Sequence, residues 1–416
     1  MEPSVAVETA KHALLVFGYV WAVGIFCGIL ANKLKIPDVA VYLLVGMGLG
    51  PSVLNLVDIP MDSALNQGIL IFGSCYILFD GGASLRLKVL KEVWITITVI
   101  STIGVLITTG ITAVAAHFIL GVPFIVALLL GATIASTDPA TLIPVFRTVT
   151  IKDRVAQTVM SESAFNDAMG AIITFTILGI AMGTGSFDLG HTLYVLVKES
   201  FLGILTGIVV GFVTVFLIAH RRIGFLASYS PVVSLLAVIG SYMLADALHS
   251  SGFMAVFVLG IMLGNMDIFG LKMDHVEGER MEQYVLTTAM IWRMFIFILL
   301  GAQVDFGLMN TYLVGGVIVV TIFMLVARPA TVFACAKLDK RANWSMNEML
   351  FMCWTRETGV IPGALAGMLV GMKAPGAPII ASITFIAILM TILIQATTTS
   401  WVARRLGLLV EEGKSS

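Results

Sequence analysis

Met160-Ser161-Glu162-Ser163-Ala164-Phe165-Asn166-Asp167-Ala168-Met169-Gly170 opens an apolar run that continues to about Met182. Two carboxylates, Glu162 and Asp167, therefore lie in a segment that otherwise reads as membrane helix. An ionisable side chain at bilayer depth costs roughly 3 kcal/mol or more, so its presence there is a pointer to function. Ser163 stands four residues before Asp167, on nearly the same face of a helix. A carboxylate with a hydroxyl beside it is an oxygen-only donor set. Such a set suits protons and hard alkali cations better than soft metals.

That run is one of many. The 416 residues are 58% hydrophobic and 12% charged, and the apolar runs have the length needed to cross hydrocarbon. Strands of a membrane barrel would alternate in polarity at every second residue, and these runs do not. The fold class is thus an all-α polytopic membrane protein with about thirteen transmembrane helices. The expected spans are approximately 13–31, 38–56, 64–82, 94–117, 122–146, 156–182, 197–218, 231–248, 252–265, 285–303, 311–334, 348–371 and 376–401. The net charge of −1 and the absence of a basic patch give no sign of a nucleic-acid partner; the partner expected on every side is membrane lipid. Cys27, Cys75, Cys335 and Cys353 are scattered singly, so neither a zinc site nor a disulfide framework is indicated. The first apolar run follows an acidic N-terminus without a convincing cleavage site and reads as a retained helix.

Orientation follows from Lys and Arg. Alternate connections, beginning after the first span, hold 18 of the 24 basic residues, from Lys33 and Lys35 to Arg404, Arg405 and Lys414. The opposite set holds only Lys11, Lys198 and Lys373, and Arg293, Arg328 and Arg356 fall inside spans. This asymmetry places the N-terminus outside and the C-terminus in the cytoplasm of a cell (inner) membrane protein. The connection from Gly264 to Gln283 is rich in charge and reads either as an amphipathic surface segment or as a solvated linker.

Two spans carry matching interruptions. Thr137-Asp138-Pro139 leads to Pro144 in the fifth, and Thr355-Arg356-Glu357 leads to Pro362 in the twelfth. Both begin with Thr and a charge, and both reach Pro seven residues after the Thr. The third and tenth spans also end alike, Gly82-Ala83-Ser84-Leu85 against Gly301-Ala302-Gln303-Val304. The two offsets, 218 and 219 residues, agree, which points to a duplication. An odd number of spans between the copies inverts one relative to the other. Inverted repeats with broken helices are the sequence pointer to a secondary transporter whose site lies near the midplane. Proline removes a backbone donor, and the groups it frees survive at membrane depth only inside protein or around a cavity. Asp138 could offset the positive ends of half-helices, and Arg356 the negative ends.

With these residues assembled, the chain resembles the monovalent cation:proton antiporters, in particular the NhaP-type sodium/proton branch. The motifs are Ile36 to Pro51 (IPDVAVYLLVGMGLGP), STDPATLIPVF from Ser136, SESAFNDAMG from Ser161, and the run ending LGN at Asn265. The resemblance implies the sodium/proton antiporter fold, with two broken crossing helices, and a homodimer. Spans within 64–182 and 285–401 would move as a transport unit against a dimerisation part at 13–56 and 197–265. It implies that Asp167 binds either cation or proton, with Ser163 and Thr137 as further oxygens. Asn166 takes the place that is a second Asp in the electrogenic branch. Asp138 would cap half-helices, and Glu162 would be a structural ion-pair member. For Arg356 two partners stay open, Glu162 and Glu357, because the arginine stands two places from its usual position relative to Gly359. Asp80 is either part of the ion path or an interfacial residue.

The expected activity is exchange of sodium, or also lithium, for a proton, one for one, in the service of pH homeostasis. Potassium/proton exchange is the rival, because one carboxylate and two hydroxyls do not set the cavity size. No enzyme is expected and no cofactor: a membrane hydrolase would need paired facing Asp or an HExxH pattern, and no HExxH is present. A cation channel is the remaining class, against which broken inverted repeats argue.

Overall fold

A chain this apolar has no water to satisfy its backbone, so it folds into helices whose hydrogen bonds close internally. The computed structural model describes residues 5–34, 36–137, 151–183, 189–219 and 226–409. Among these residues there is no strand beyond the isolated antiparallel bridge between Ile151 and Leu409. The helices are α1 (Val5–Leu34), α2 (Asp38–Leu49), α3 (Ala64–Ser84), α4 (Leu87–Val99), α5 (Val105–Leu120), α6 (Phe124–Ile134), α7 (Asp153–Ala181), α8 (Leu189–Ala219) and α9 (Ser230–Ala247). They continue with α10 (Gly252–Gly264), α11 (His275–Ala302), α12 (Phe306–Ile322), α13 (Arg328–Ala336), α14 (Met346–Trp354), α15 (Val360–Gly371), α16 (Ala377–Met390) and α17 (Thr397–Arg405). Among the described residues eight stretches are long and apolar enough to cross a bilayer, and α2, α6, α10 and α15 are shorter apolar helices. Together with α3 they occupy the thirteen expected positions, the twelfth being the broken pair α14 and α15.

The first and seventh spans begin at Val5 and Leu189, each eight residues early, and two other boundaries also differ from expectation. The second span stops at Leu49, because Gly50-Pro51 turns the chain before 56. The tenth begins at His275, ten residues early, so much of the charged 264–283 connection is helical. Its polar first turns are held by Arg280 against Glu277 at 3.4 Å and His275 against Glu279 at 3.5 Å. The rest of that connection is a 3-10 turn, Met266–Phe269, ended by left-handed Gly270.

Three of the long spans contain a π-turn, at Ile100–Gly104, Phe323–Ala327 and Thr391–Ala396. Each has a local cause. Ser101 and Thr102 bond back to the carbonyls of Ile97 and Thr98, both at 2.6 Å. Pro329 cannot donate to Leu325, whose carbonyl lies in the second turn. Thr397, Thr398 and Thr399 each bond back four residues, to the carbonyls of Leu393, Ile394 and Gln395.

Lipid tails give no hydrophobic drive between helices, so close backbone approach at small residues sets the packing. A Cβ at Gly82 would overlap the carbonyl of Phe257, and one at Gly260 that of Phe79, which seats α3 on α10. Gly46 and Gly50 lie against Ile298 and Ala302, and Gly301 against Leu43, which seats α2 on α11. Gly207 lies on the carbonyl of Ala255, joining α8 to α10. These contacts repeat the inverted symmetry: Ala40-Val41-Tyr42 of α2 and Ala255-Val256-Phe257 of α10 are 215 residues apart. A second group forms around α5, α6, α7, α12 and α16, with Gly131 of α6 against the carbonyl of Thr109 on α5.

Candidate ion-binding site

The second group encloses the interruptions. Helix α6 ends at Ile134 with Ala135 as its cap, and the chain is unwound through Ser136 and Thr137. The twelfth span is unwound from Thr355 to Gly359. Arg356, wholly buried, joins the two: its guanidinium donates to the carbonyl of Ala135, where α6 presents its negative end. The same guanidinium lies over the Phe323 ring, 4.7 Å from its centroid, and 3.4 Å from the Thr108 hydroxyl. The freed N–H of Thr358 donates to the Thr391 hydroxyl at 3.0 Å, at the start of the third π-turn. Thr108 and Thr331 share a hydroxyl–hydroxyl bond of 2.9 Å. Their separation of 223 residues equals that of the π-turns at 100–104 and 323–327, so the two copies meet here.

Helix α7 carries the rest of the site past the unwound end of the fifth span. Asn166 accepts the freed N–H of Thr137 at 3.0 Å and donates to its hydroxyl at 2.8 Å. The Thr137 hydroxyl donates to Ser163 Oγ at 2.9 Å, and Ser163 donates to the Thr137 carbonyl at 2.8 Å. Asp167 follows Asn166 on the same helix and is 5% exposed. Three of the four expected binding residues are thus joined through Thr137, with the carboxylate next in the chain. Ser136 is fully buried beside them, its Cβ packed where Gly170 leaves room.

Glu162 makes a pair that sequence reasoning missed. Its partner is neither Arg356 nor anything on the twelfth span, but Arg328 of the eleventh, with N–O distances of 2.5 and 2.8 Å. Arg328 also donates Nε to the Met352 carbonyl at 2.9 Å, so each of its three nitrogens has an acceptor. An arginine inside a span beside a proline was the available signal; only packing could say which acid it meets. Glu357 is fully buried at the crossing, next to Arg356 in the chain.

Asp80 is elsewhere. It lines a cavity of about 290 Å³ with Arg86, Met266 and Glu282, and none of Thr137, Ser163, Asn166 or Asp167 lines that cavity. Arg293 of α11 is within electrostatic reach of Asp80. Asp138, Pro139 and Pro144 lie outside the described residues. Among the described residues no three His, Cys, Asp or Glu gather as a transition-metal site would require. Hydroxyls, a carboxamide and one carboxylate are donors for an alkali cation.

This bundle, in which buried Arg356 joins the unwound segments of two spans, has the architecture of an ion-coupled secondary transporter. The chain belongs to the family of sodium/hydrogen exchanger transmembrane proteins, whose model matches residues 22–405. It is 33% identical over 347 residues to Na(+)/H(+) antiporter 1 of Methanocaldococcus jannaschii, covering 81% of this chain and 78% of that one. It is 27% identical over 411 residues to the K(+)/H(+) antiporter NhaP of Alkalimonas amylolytica, covering 96% and 68%. Among solved structures, the sodium proton antiporter MjNhaP1 from M. jannaschii at pH 8 superposes with a TM-score of 0.82 at 30% identity, over 95% of this chain and 99% of that one.

Proposed function

We propose that this protein exchanges an alkali cation, sodium in the first place, for a proton by alternating access. Asp167 is the group that carries one or the other, and Thr137 and Ser163 complete the cation's oxygen shell. The observation that carries this reading is the bonding of Thr137, on an unwound and buried segment, to both Ser163 and Asn166, the latter directly before Asp167. Asn166 brings no charge, so one cation for one proton moves none. In this reading Arg356 and Asp138 compensate half-helix ends, and the Glu162–Arg328 pair braces the site helix against the eleventh span.

The packing supports a partition of the chain that differs from the one expected from sequence. The moving unit comprises α4 to α7 and α12 to α17. The static part holds α1 to α3 and α8 to α11, because glycine contacts bind α3 to α10 and α2 to α11. A homodimer would form through the static part, with the N-terminus outside and the C-terminus in the cytoplasm, as the basic connections require. Potassium as the cargo is favoured by one observation, the potassium/proton name of a relative matched over 96% of this chain. Purified protein in liposomes, given a proton gradient and then sodium, lithium or potassium, decides: the ion that releases protons is the substrate. Release by none of the three would remove the antiporter reading.

A further inference from the structure

The face that α15 turns toward the static part is a row of glycines at four-residue spacing, Gly363, Gly367 and Gly371. Each sits where a side chain would collide with that part. A Cβ at Gly363 would lie 2.8 Å from Leu300 Cδ2, one at Gly367 2.5 Å from Leu70 Cδ1, and one at Gly371 would overlap the Gln67 carboxamide. Gln67 reaches across this seam: its Nε2 donates to the Gly367 carbonyl at 3.1 Å and to the Met61 carbonyl, on its own side, at 2.7 Å. Behind it stands a pad of carboxamides. Asn66, fully buried, donates to Met61 O at 2.9 Å, and Gln303 donates to Asn66 Oδ1 at 2.9 Å and to Ile59 O at 2.8 Å.

Position gives the cluster its meaning. Gly367 is seven residues beyond the start of α15, so it lies about 10 Å outward from the unwound crossing. The cluster is at the end of the bundle opposite the basic connections. A vestibule of about 180 Å³ lies beside it, walled by Met61, Leu300 and Gln303 on the static side and by Val370, Ala381 and Phe385 on the moving side.

We propose that Gln67 and the Gly363–Gly367–Gly371 face form the outer gate of the site, with Gln67 as its latch. This inference rests on the alternating-access reading and adds the residues that close one side. The glycine face lets α15 lie flush on α3 when the outside is shut, and the Gln67–Gly367 bond breaks when the moving unit carries α15 away. Gln67 touches none of the ion-binding residues, so it sets which side is open rather than what is bound.

The test is a cross-link. Gln67→Cys with Gly371→Cys, in a full-length chain whose four buried cysteines are replaced, removes the carboxamide and leaves room for the new side chain. Oxidation is expected to join the pair, abolish cation-driven proton flux in liposomes, and be reversed by reductant. A pair that does not join, or a fully joined protein that exchanges at the reduced rate, overturns the gate. Joining in a protein whose reduced form shows no flux with any alkali ion would sink the antiporter reading instead. It would leave the closed seam in place and withdraw the gate that rests on transport. Separately, Gln67→Ala should keep its maximal rate while its half-saturation for external cation falls by up to about ten-fold, the weight of one lost hydrogen bond. An equal shift on both faces, or none, would also overturn the latch.

Discussion

Glu162 and Arg328 form a two-pronged ion pair, at 2.5 and 2.8 Å, that ties the site helix α7 to the start of α13. Both side chains are almost wholly buried, and the Met352 carbonyl takes the third donor of the arginine. Such a pair adds little net stability while intact, but removing one partner strands a charge at a cost of about 3–5 kcal/mol. Arg328→Ala should therefore lower the apparent melting temperature in detergent far more than Glu162→Gln with Arg328→Met together. Lysine cannot reproduce two parallel N–H donors, so Arg328→Lys should fall between. Equal melting temperatures for the single and double variants would refute the pair as the brace of α7.

Asp167→Asn removes the only group in the proposed site that can exchange a proton for a cation. Cation-dependent proton flux in proteoliposomes should drop to background, with the protein still monodisperse. Flux that survives would end the assignment of Asp167.

Competition for one carboxylate sets the pH response of the wild type. Below the apparent pKa of the site, half-saturation for the cation should rise about ten-fold per pH unit, by mass action between proton and cation. Maximal rate at saturating cation should change much less. A half-saturation constant that does not move between acid and alkaline pH would contradict a shared site.

Asn166→Asp puts a second carboxylate where the Thr137 N–H is now accepted at 3.0 Å. Aspartate keeps that acceptor but loses the bond donated to the Thr137 hydroxyl. The variant should generate a current on solid-supported membranes that the wild type lacks. A wild-type current that reverses with potential at balanced ion gradients would rule out one-for-one exchange.

Outside the membrane, Asp339 anchors the connection between α13 and α14. Burial pushes its carboxyl up. The Thr96 hydroxyl at 2.7 Å and the N–H groups of Ala342, Thr96 and Arg341 outweigh that and hold it below its ordinary 3.8. A depressed carboxylate contributes stability that is fully present above its unfolded value and is lost as pH falls through the folded one. Asp339→Asn should thus lower the melting temperature at pH 7, and the difference from wild type should shrink below about pH 4. A deficit that stays constant down to pH 3 would show that the charge is not what matters.

The number of spans, the broken fifth and twelfth and the inverted repeat were legible in sequence. Each depends on local causes: apolar run length, a proline's missing donor, and a charge that hydrocarbon excludes. Thr137 and Asn166 entered the site only through the family resemblance, whereas Ser163 beside Asp167 was legible from helix spacing. The partner of Glu162 was not. Arg328, Arg356 and Arg293 all stood inside spans, and nothing in their spacing to the acid separates them. Nor was the packing of α3 on α10 and of α2 on α11, which rests on where Gly82, Gly260 and Gly301 meet carbonyls far away in the chain. Sequence by itself determined how often this chain crosses the bilayer and which acid is stranded there, because the cost of burying polar groups is paid residue by residue. Tertiary structure alone decided which guanidinium answers which carboxylate and which helices pack against one another, because those follow from contacts between segments that the linear order leaves free.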